Sequence, residues 1–462
     1  MPPELKNKQQ LADAAMTVAQ SYELVERGSS LFIPVHWQSL SPSPLPPRTE
    51  TIWLPLSRRE LQQIAYQKHS ILFANDSELR NFEFMAGQIA TDANGSVGVL
   101  IKTDNGLKKL DERGKLVDPT GEFSPNYIRP MLNENEDDKK KVYDTIVEWV
   151  GGVEDAESLL RHLATSLAPN YSAVKYVLLL GEGRNGKSVL LSMLTGLFGK
   201  ENVSNVTRQM MAERNPTCVE LNNKLLNVIF DGEMAYIKDS SMEKTLIAGE
   251  PGHVRMLYES VVTEVQTNAL FIEALNIEPK VRDKSPALQK RLVRFRFPNV
   301  YSLDRAFSKL MTSEPMLGAL LSLLIDRFVR EEELAEHLTL TKSSLELQVE
   351  QVFLGSPLLQ FLDDLQRKDP SAFERVIQGK LSLDAFMASF KPWISTQNIS
   401  ERSDSDLLVM VKNSAVTGSG LLNGRRVPII KSLKPETLEA LKQLRGEDPD
   451  ESGNSDTTVV GD

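Results

Sequence analysis

The period of the apolar positions changes several times along the chain. Between Tyr176 and about Phe297, short apolar runs alternate with helical patterns, the arrangement of a parallel α/β sheet. Tyr176 to Leu180 is all apolar and leads into a glycine-rich stretch, after which an apolar-periodic helix begins. Residues 224–230 and 269–275 are two further strand-like runs, and the alternating basic and apolar residues 290–298 suit another. Upstream, residues 6–26 predict one amphipathic helix, and residues 51–54, 71–73 and 97–103 predict short strands. Residues 104–106 and 118–121 are turn signals, and residues 139–168 read as two helices broken at Gly151-Gly152. Residues 39–48 form a proline-rich, extended connector.

Downstream, residues 317–329 and 343–353 read as helices. Residues 363–433 form a last small unit: two helices, then two apolar runs around Asn423-Gly424, a hairpin signal. Helices followed by a basic hairpin predict a winged helix-turn-helix, with a generic α+β cap as the alternative. The pattern divides the chain into a mixed α/β region (1–135), a helical collar-like segment (136–172), a core (173–355), the winged-helix-like unit (356–445) and an acidic tail (446–462).

Composition narrows the classes. The chain has 462 residues, enough for two to four domains, and a net charge of −10 that argues against a protein coating duplex DNA with a broad basic face. That charge still allows a few basic residues aimed into a channel, because local field steers nucleic acid. The acidic tail adds to the negative total and is expected to be disordered. One cysteine, Cys218, excludes an intrachain disulfide and a cysteine zinc cluster. His36, His69, His162, His253 and His337 are scattered, so no zinc centre is expected. No apolar run is long enough to span a membrane, and residues 1–6 carry no secretory pattern, so a cytoplasmic protein is expected. The charge run 134–141 reads as a solvated helix start.

The most informative residues are Gly181, Glu182, Gly183, Arg184, Asn185, Gly186, Lys187 and Ser188. Between an apolar strand and a helix they match the P-loop, which binds ATP. The glycines allow a tight turn whose N–H groups face phosphate, and the helix dipole favours the same anion. Lys187 supplies a charge for the β/γ-phosphates, and the Ser188 hydroxyl can ligate Mg²⁺. The strand 224–230 ends in Asp231-Gly232-Glu233. Asp231 would hold Mg²⁺ and Glu233 would polarise the attacking water; the unusual Gly232 leaves the reverse division open. The third strand ends in Asn276, which could orient the water, and Arg291 leads the basic strand.

In this order the motifs resemble those of superfamily 3 helicases, in particular the helicase part of phage, plasmid and poxvirus primase–helicases. The resemblance spans about residues 100–355 and rests on Gly181–Ser188, 224–228, 248–258, 274–283 and 290–298. It implies an α/β, AAA+-like P-loop ATPase acting as a hexameric ring that draws single-stranded or forked DNA through its pore. It also implies that Asn276 senses the γ-phosphate and that Arg291 reaches the neighbouring subunit's ATP, with Arg294 as the fallback finger. The family's pore hairpin falls between Gly249 and Asn268, where Lys244, His253 and Arg255 are the nearby positive or titratable groups and Glu259, Ser260 and Glu264 replace the usual basic tip. Arg425, Arg426 and Lys431 are the DNA-contact candidates of the C-terminal hairpin. No paired-carboxylate and histidine set precedes the P-loop, so a primase or polymerase would be a separate partner. Two alternatives remain: a P-loop ATPase that loads on DNA without unwinding, and a P-loop small-molecule kinase.

Overall fold

The computed structural model describes residues 8–437 except 28–29, 37–40, 43–50, 74, 93–97, 112, 120–122, 169–175, 233–236, 238, 257–261, 277, 279–285, 290, 355, 379, 397–406, 409–410, 413–414, 423–424 and 435–436. The chain divides into two compact units, Met1–Thr341 and Lys342–Asp462.

The first unit opens with three helices, Lys8–Ser21, Arg58–His69 and Asp76–Ile89, against a small sheet of Val25–Arg27, Ser30–His36, Ser41–Pro42, Thr51–Pro55 and Thr91–Asp92. Their core holds Ala15, Val18, Ile52, Leu61, Ala65 and Phe82. The first helix is shorter than the pattern 6–26 predicts, because Val25–Arg27 leaves it to pair with Ser30–His36. The expected strand at 71–73 is reduced to a single bridge residue, Leu72, in the connector between the helices that end at His69 and begin at Asp76. Ser70 ends one helix in the left-handed region at φ 53°, and the Asn75 side chain caps the next. Most of the proline-rich connector lies outside the described residues.

A four-stranded sheet follows, Leu100–Thr103, Gly106–Leu110, Leu116–Val117 and Tyr127–Met131, and then the expected helix pair. α1 (Glu136–Val150) is capped by Asn135, which accepts hydrogen bonds from the Asp137 and Asp138 N–H groups. Three acidic residues in its first turn complement the helix dipole. Gly151 ends it at φ +81° before α2 (Val153–Ala164).

The central sheet is parallel throughout. Its strands are β1 (Tyr176–Leu180), β2 (Val203–Ser204), β3 (Leu226–Ile229), β4 (Leu270–Leu275) and β5 (Leu292–Arg296), in the order β2-β3-β4-β1-β5. Covered on both faces, its strands are near-continuous apolar runs. α3 (Lys187–Phe198) buries Leu190, Leu191, Leu194 and Phe198 in one core with Val177, Leu179, Val228, Ile272 and Phe295. The alternate positions on the other face include Tyr176, Asn227, Glu273 and Arg294, all buried polar side chains.

The second unit contains helices Lys342–Leu354, Pro357–Lys368, Pro370–Ile377 and Leu383–Thr396. Its sheet is Leu381–Ser382, Arg425–Leu433 and Ala415–Leu422, in that spatial order. Leu358, Phe361, Leu362, Phe386, Phe390 and Ile430 form its core. In the hairpin Leu422 stands opposite Arg425; the connecting pair Asn423-Gly424 lies outside the described residues.

Candidate active site

The stretch Gly181 to Ser188 leaves the carboxyl end of β1 and enters α3 at Gly186, with no side chain capping the helix. Two of its glycines are required by space. A β-carbon on Gly181 would lie 2.5 Å from the Phe297 carbonyl oxygen. One on Gly186, whose φ is +94°, would lie 2.5 Å from Trp149 Nε1 of α1. Gly183 is different: nothing lies within 4 Å of its β-position. The second left-handed residue of the loop is Arg184, at φ +63°.

The chain beyond β5 braces this loop. The Phe297 N–H donates to the Leu180 carbonyl at 2.7 Å, and the Tyr301 N–H donates to the Arg184 carbonyl at 2.7 Å. Buried Asn185 donates its Nδ2 to the Phe297 carbonyl at 3.3 Å. Lys187 is also buried, 5% exposed. Its Nζ donates to the carbonyls of Gly181 and Glu182 and to Asn185 Oδ1, the last at 3.1 Å. Burial lowers the Lys187 pKa, and the charge of Asp231 opposes that shift. Ser188 is exposed in the first turn of α3, and Glu182 and Arg184 are exposed on the loop.

Asp231 lies two residues past the end of β3 and is exposed. Asn276 directly follows β4 and is exposed too. Leu180 pairs with Leu275, and the Gly181 N–H donates to the Leu275 carbonyl at 3.2 Å, so Asn276 borders the loop's first glycine. Lys187, Ser188, Asp231 and Asn276 therefore share the carboxyl edge of the sheet. The chain passes from β1 to one side and returns to β5 on the other, which makes β1 the switch point where open α/β sheets hold ligands. Glu233 lies outside the described residues.

Gly232 is explained by what lies beneath it. A β-carbon there would stand 2.7 Å from Glu273 Cδ. Glu273 is 1% exposed, and Tyr176 donates its hydroxyl to Glu273 Oε2 at 3.0 Å. Burial pushes the Glu273 carboxyl up to about 7, opposed by the charge of Arg208 and the Tyr176 hydrogen bond. Arg208 is buried as well, paired with Glu243 at 2.7 Å and lying over the Tyr176 ring at 5.6 Å. The pattern reading did not single out this group. Its one signal is a glutamate in the middle of the otherwise apolar strand β4.

Arg291 lies at the other edge of the sheet. It is half-buried, and its carbonyl accepts from the Tyr176 N–H at 2.7 Å, at the start of β1. The loop leaves the far end of that strand, roughly 15 Å away at the usual rise per residue. The fallback role for Arg294 is corrected. Its side chain is 0% exposed, and its guanidinium is bidentate to Glu278 at 2.7 and 2.8 Å, so it cannot reach another subunit.

Gly252–Arg255 and Val262–Val265 form a separate two-stranded hairpin. His253 stands opposite Glu264 and Arg255 opposite Val262, and both His253 and Arg255 are exposed. Lys244 is half-buried on the neighbouring helix Ser241–Ile247, whose Met242 packs against Gly252. The hairpin tip lies outside the described residues. In the second unit, Arg425 and Arg426 are exposed at the start of the strand Arg425–Leu433. Lys431 is exposed further along the strand, its stem crossing Gly418. Among the described residues no group of three or more His, Cys, Asp or Glu could hold a metal, and no helix is long and apolar enough to cross a membrane.

No family model and no curated protein matches the chain. Among solved structures it is similar to the A form apo structure of the NrS-1 C terminal region, with a TM-score of 0.50 and 12% sequence identity over 92% of this chain and 98% of that one. A second apo structure of the NrS-1 C terminal region (305-718) gives a TM-score of 0.47 and 13% identity, covering 93% of this chain and 100% of that one. At such identity the likeness is one of fold.

Proposed function

We propose that this chain is an ATP-driven DNA motor of the superfamily 3 helicase type, working as a ring of identical subunits, most simply six, in the replication of a phage, virus or plasmid. The observation that carries the reading is the meeting of Lys187, Ser188, Asp231 and Asn276 at one sheet edge, above a loop whose glycines at 181 and 186 allow no side chain. An incoming triphosphate would offer phosphate oxygens to the Lys187 ammonium in place of the loop carbonyls it now meets, and would accept from the uncapped N–H groups of α3.

The oxygen donors fit Mg²⁺. A Ser188 hydroxyl and an Asp231 carboxylate are hard ligands, and this ion commonly uses one or two protein oxygens with substrate phosphates and water. When bound, the ion would neutralise charge developing on the phosphates. Asn276 would orient the attacking water or the γ-phosphate, and Glu233 would polarise that water. The separation of Arg291 from its own loop favours a role at a neighbouring subunit's nucleotide, as an arginine finger. Lys244, His253 and Arg255 would line the DNA path, with Arg425, Arg426 and Lys431 contributing backbone contacts.

The test is Mg²⁺-dependent ATPase activity and forked-duplex unwinding by purified full chain. Lys187→Ala and Arg291→Ala should each abolish both. Mixed assemblies of these two variants should regain hydrolysis, because some interfaces then combine an intact loop with an intact Arg291. Hydrolysis without strand separation would move the assignment to a DNA-loading ATPase. Phosphoryl transfer to a small acceptor would move it to a kinase. Normal hydrolysis by Lys187→Ala would remove the loop from the reaction.

A further inference from the structure

Two candidate groups, Asn276 and Arg291, lie at opposite edges of the sheet. One buried side chain touches the segments that carry both. Arg294, in the middle of β5, donates Nε to Glu278 Oε2 at 2.7 Å and Nη2 to Glu278 Oε1 at 2.8 Å. The same Nη2 donates to Gln289 Oε1 at 2.8 Å. Glu278 is two residues beyond Asn276. Gln289 closes the helix Pro286–Gln289, two residues before Arg291, and the Arg291 N–H donates to the Leu288 carbonyl of that helix at 2.9 Å. The planar guanidinium thus fixes two chain segments at once, with geometry that a lysine could not reproduce.

The location is demanding. Arg294 is 0% and Glu278 5% exposed at the side chain, so the pair is sheltered from water and from salt. A buried ion pair adds little to stability compared with an apolar pair of the same size, so its use is sought in geometry. A bistable connection between two sites needs a rigid element that both sites contact. The Glu278–Arg294–Gln289 set supplies such a contact: a shift at Asn276 would be passed through Glu278 and the guanidinium to the turn bearing Arg291.

We infer that Arg294 is a positioning residue that ties Asn276 of one nucleotide site to Arg291 at the next, so that the state of one site sets the placement of the finger serving its neighbour. The inference rests on the roles given to Asn276 and Arg291 under the proposed function. Arg294 itself touches no nucleotide.

The experiment uses the full-length chain with ATP and Mg²⁺. Glu278→Gln keeps the shape of the side chain and removes its charge. It should lower kcat about tenfold with the Kd for a fluorescent ATP analogue unchanged. The melting temperature falls because the buried guanidinium loses its carboxylate, so rates are compared well below both melts. In an Arg291→Lys background, which keeps a weak finger, Glu278→Gln should cost no more than twofold, because both changes act through the same group. The charge-exchanged pair Glu278→Arg with Arg294→Glu should recover part of the lost rate. Should Glu278→Gln fold poorly, Gln289→Ala carries the same test, since it cuts only the link to the Arg291 turn. A folded variant with full kcat overturns the inference. So does an undiminished tenfold loss in the Arg291→Lys background, or a fall in nucleotide affinity together with rate in a folded variant. Absence of ATPase activity from the unmodified chain would overturn the proposed function and this inference together. Activity that depends on Lys187 and Arg291 but ignores Glu278 and Gln289 overturns the inference alone.

Discussion

Gly232 and Glu273 are in such close approach that a β-carbon on the glycine would stand 2.7 Å from the Glu273 Cδ. The Gly232 N–H also donates to the Ala274 carbonyl at 3.0 Å, which holds the turn after Asp231 onto β4. A glycine between two acidic residues looks odd in the sequence. In three dimensions it leaves room for a buried carboxyl directly beneath the turn.

Gly232→Ala should therefore lift the Asp231 turn off β4. Overpacking of this kind costs about 1–3 kcal/mol. The melting temperature should fall and hydrolysis should drop at least tenfold. Adding Glu273→Ala should restore part of both, since it empties the space that the new methyl needs. A double-mutant cycle on melting temperature and ATPase rate checks this. Strictly additive losses would mean that the two positions do not compete for space.

Glu273 should also give stability a pH dependence with an unusual sign. Its carboxyl is raised from 4.5 to about 7 in the folded chain, chiefly by burial. Arg208, Tyr176, Glu243 and Glu278 are the charged or titratable groups that act on it. The folded state then holds a proton that the unfolded chain releases above about pH 4.5. The contribution is complete below the unfolded pKa and is lost as pH rises through the folded one. At 1.36 kcal/mol per unit the shift is worth up to about 3 kcal/mol. Melting of wild type and Glu273→Gln at pH 4.5 and pH 8 gives the readout. The difference should move in favour of the glutamine variant as pH rises. A pH-independent difference would place the Glu273 pKa near its ordinary value.

The loop glycines divide by what surrounds them. Gly186→Ala meets Trp149 Nε1 at 2.5 Å and must hold φ at +94°, so nucleotide binding should be lost. Gly183→Ala meets nothing within 4 Å, so the fold should survive. Any loss at position 183 then reports the space taken by a bound phosphate. Thermal melts with and without nucleotide separate the two effects. Equal destabilisation of both variants in the free protein would contradict this division.

Much of the architecture is legible because its signals are contiguous. The strand, the loop from Gly181 to Ser188 and the following helix sit in one run, and Asn423-Gly424 lies between two strands that pair as expected. The polar underside of the sheet was not legible. Tyr176, Arg208, Glu243 and Glu273 are far apart in sequence, and each resembles an ordinary local feature. Arg294 misled for a related reason. Alternating basic and apolar residues suggest a half-exposed strand, but a parallel sheet is covered on both faces, so the arginine turned inward to Glu278 instead of outward to a partner. The short connector 71–73 resembled a strand because its apolar residues are buried or half-buried between two capped helices, with the Ile71 N–H bonded to the Ala65 carbonyl.

The C-terminal hairpin offers the last test. Arg425 and Arg426 are both exposed at the start of their strand, in a chain of net charge −10. If they meet the phosphate backbone, their contribution should depend on salt and ignore base sequence. Lys431 is set back along the strand with its stem across Gly418, so it should contribute less than the two arginines. Fluorescence anisotropy of labelled forked DNA against salt concentration measures this. The Arg425→Ala/Arg426→Ala variant should bind more weakly, and its log K against log salt slope should flatten by about one to two units for two lost phosphate contacts. Lys431→Ala should change the slope by less than one unit. Because both arginines are exposed and lie outside the core of their unit, melting should be unaffected. Unchanged affinity and slope in the double variant would leave these residues with the simpler task of solubilising an exposed hairpin.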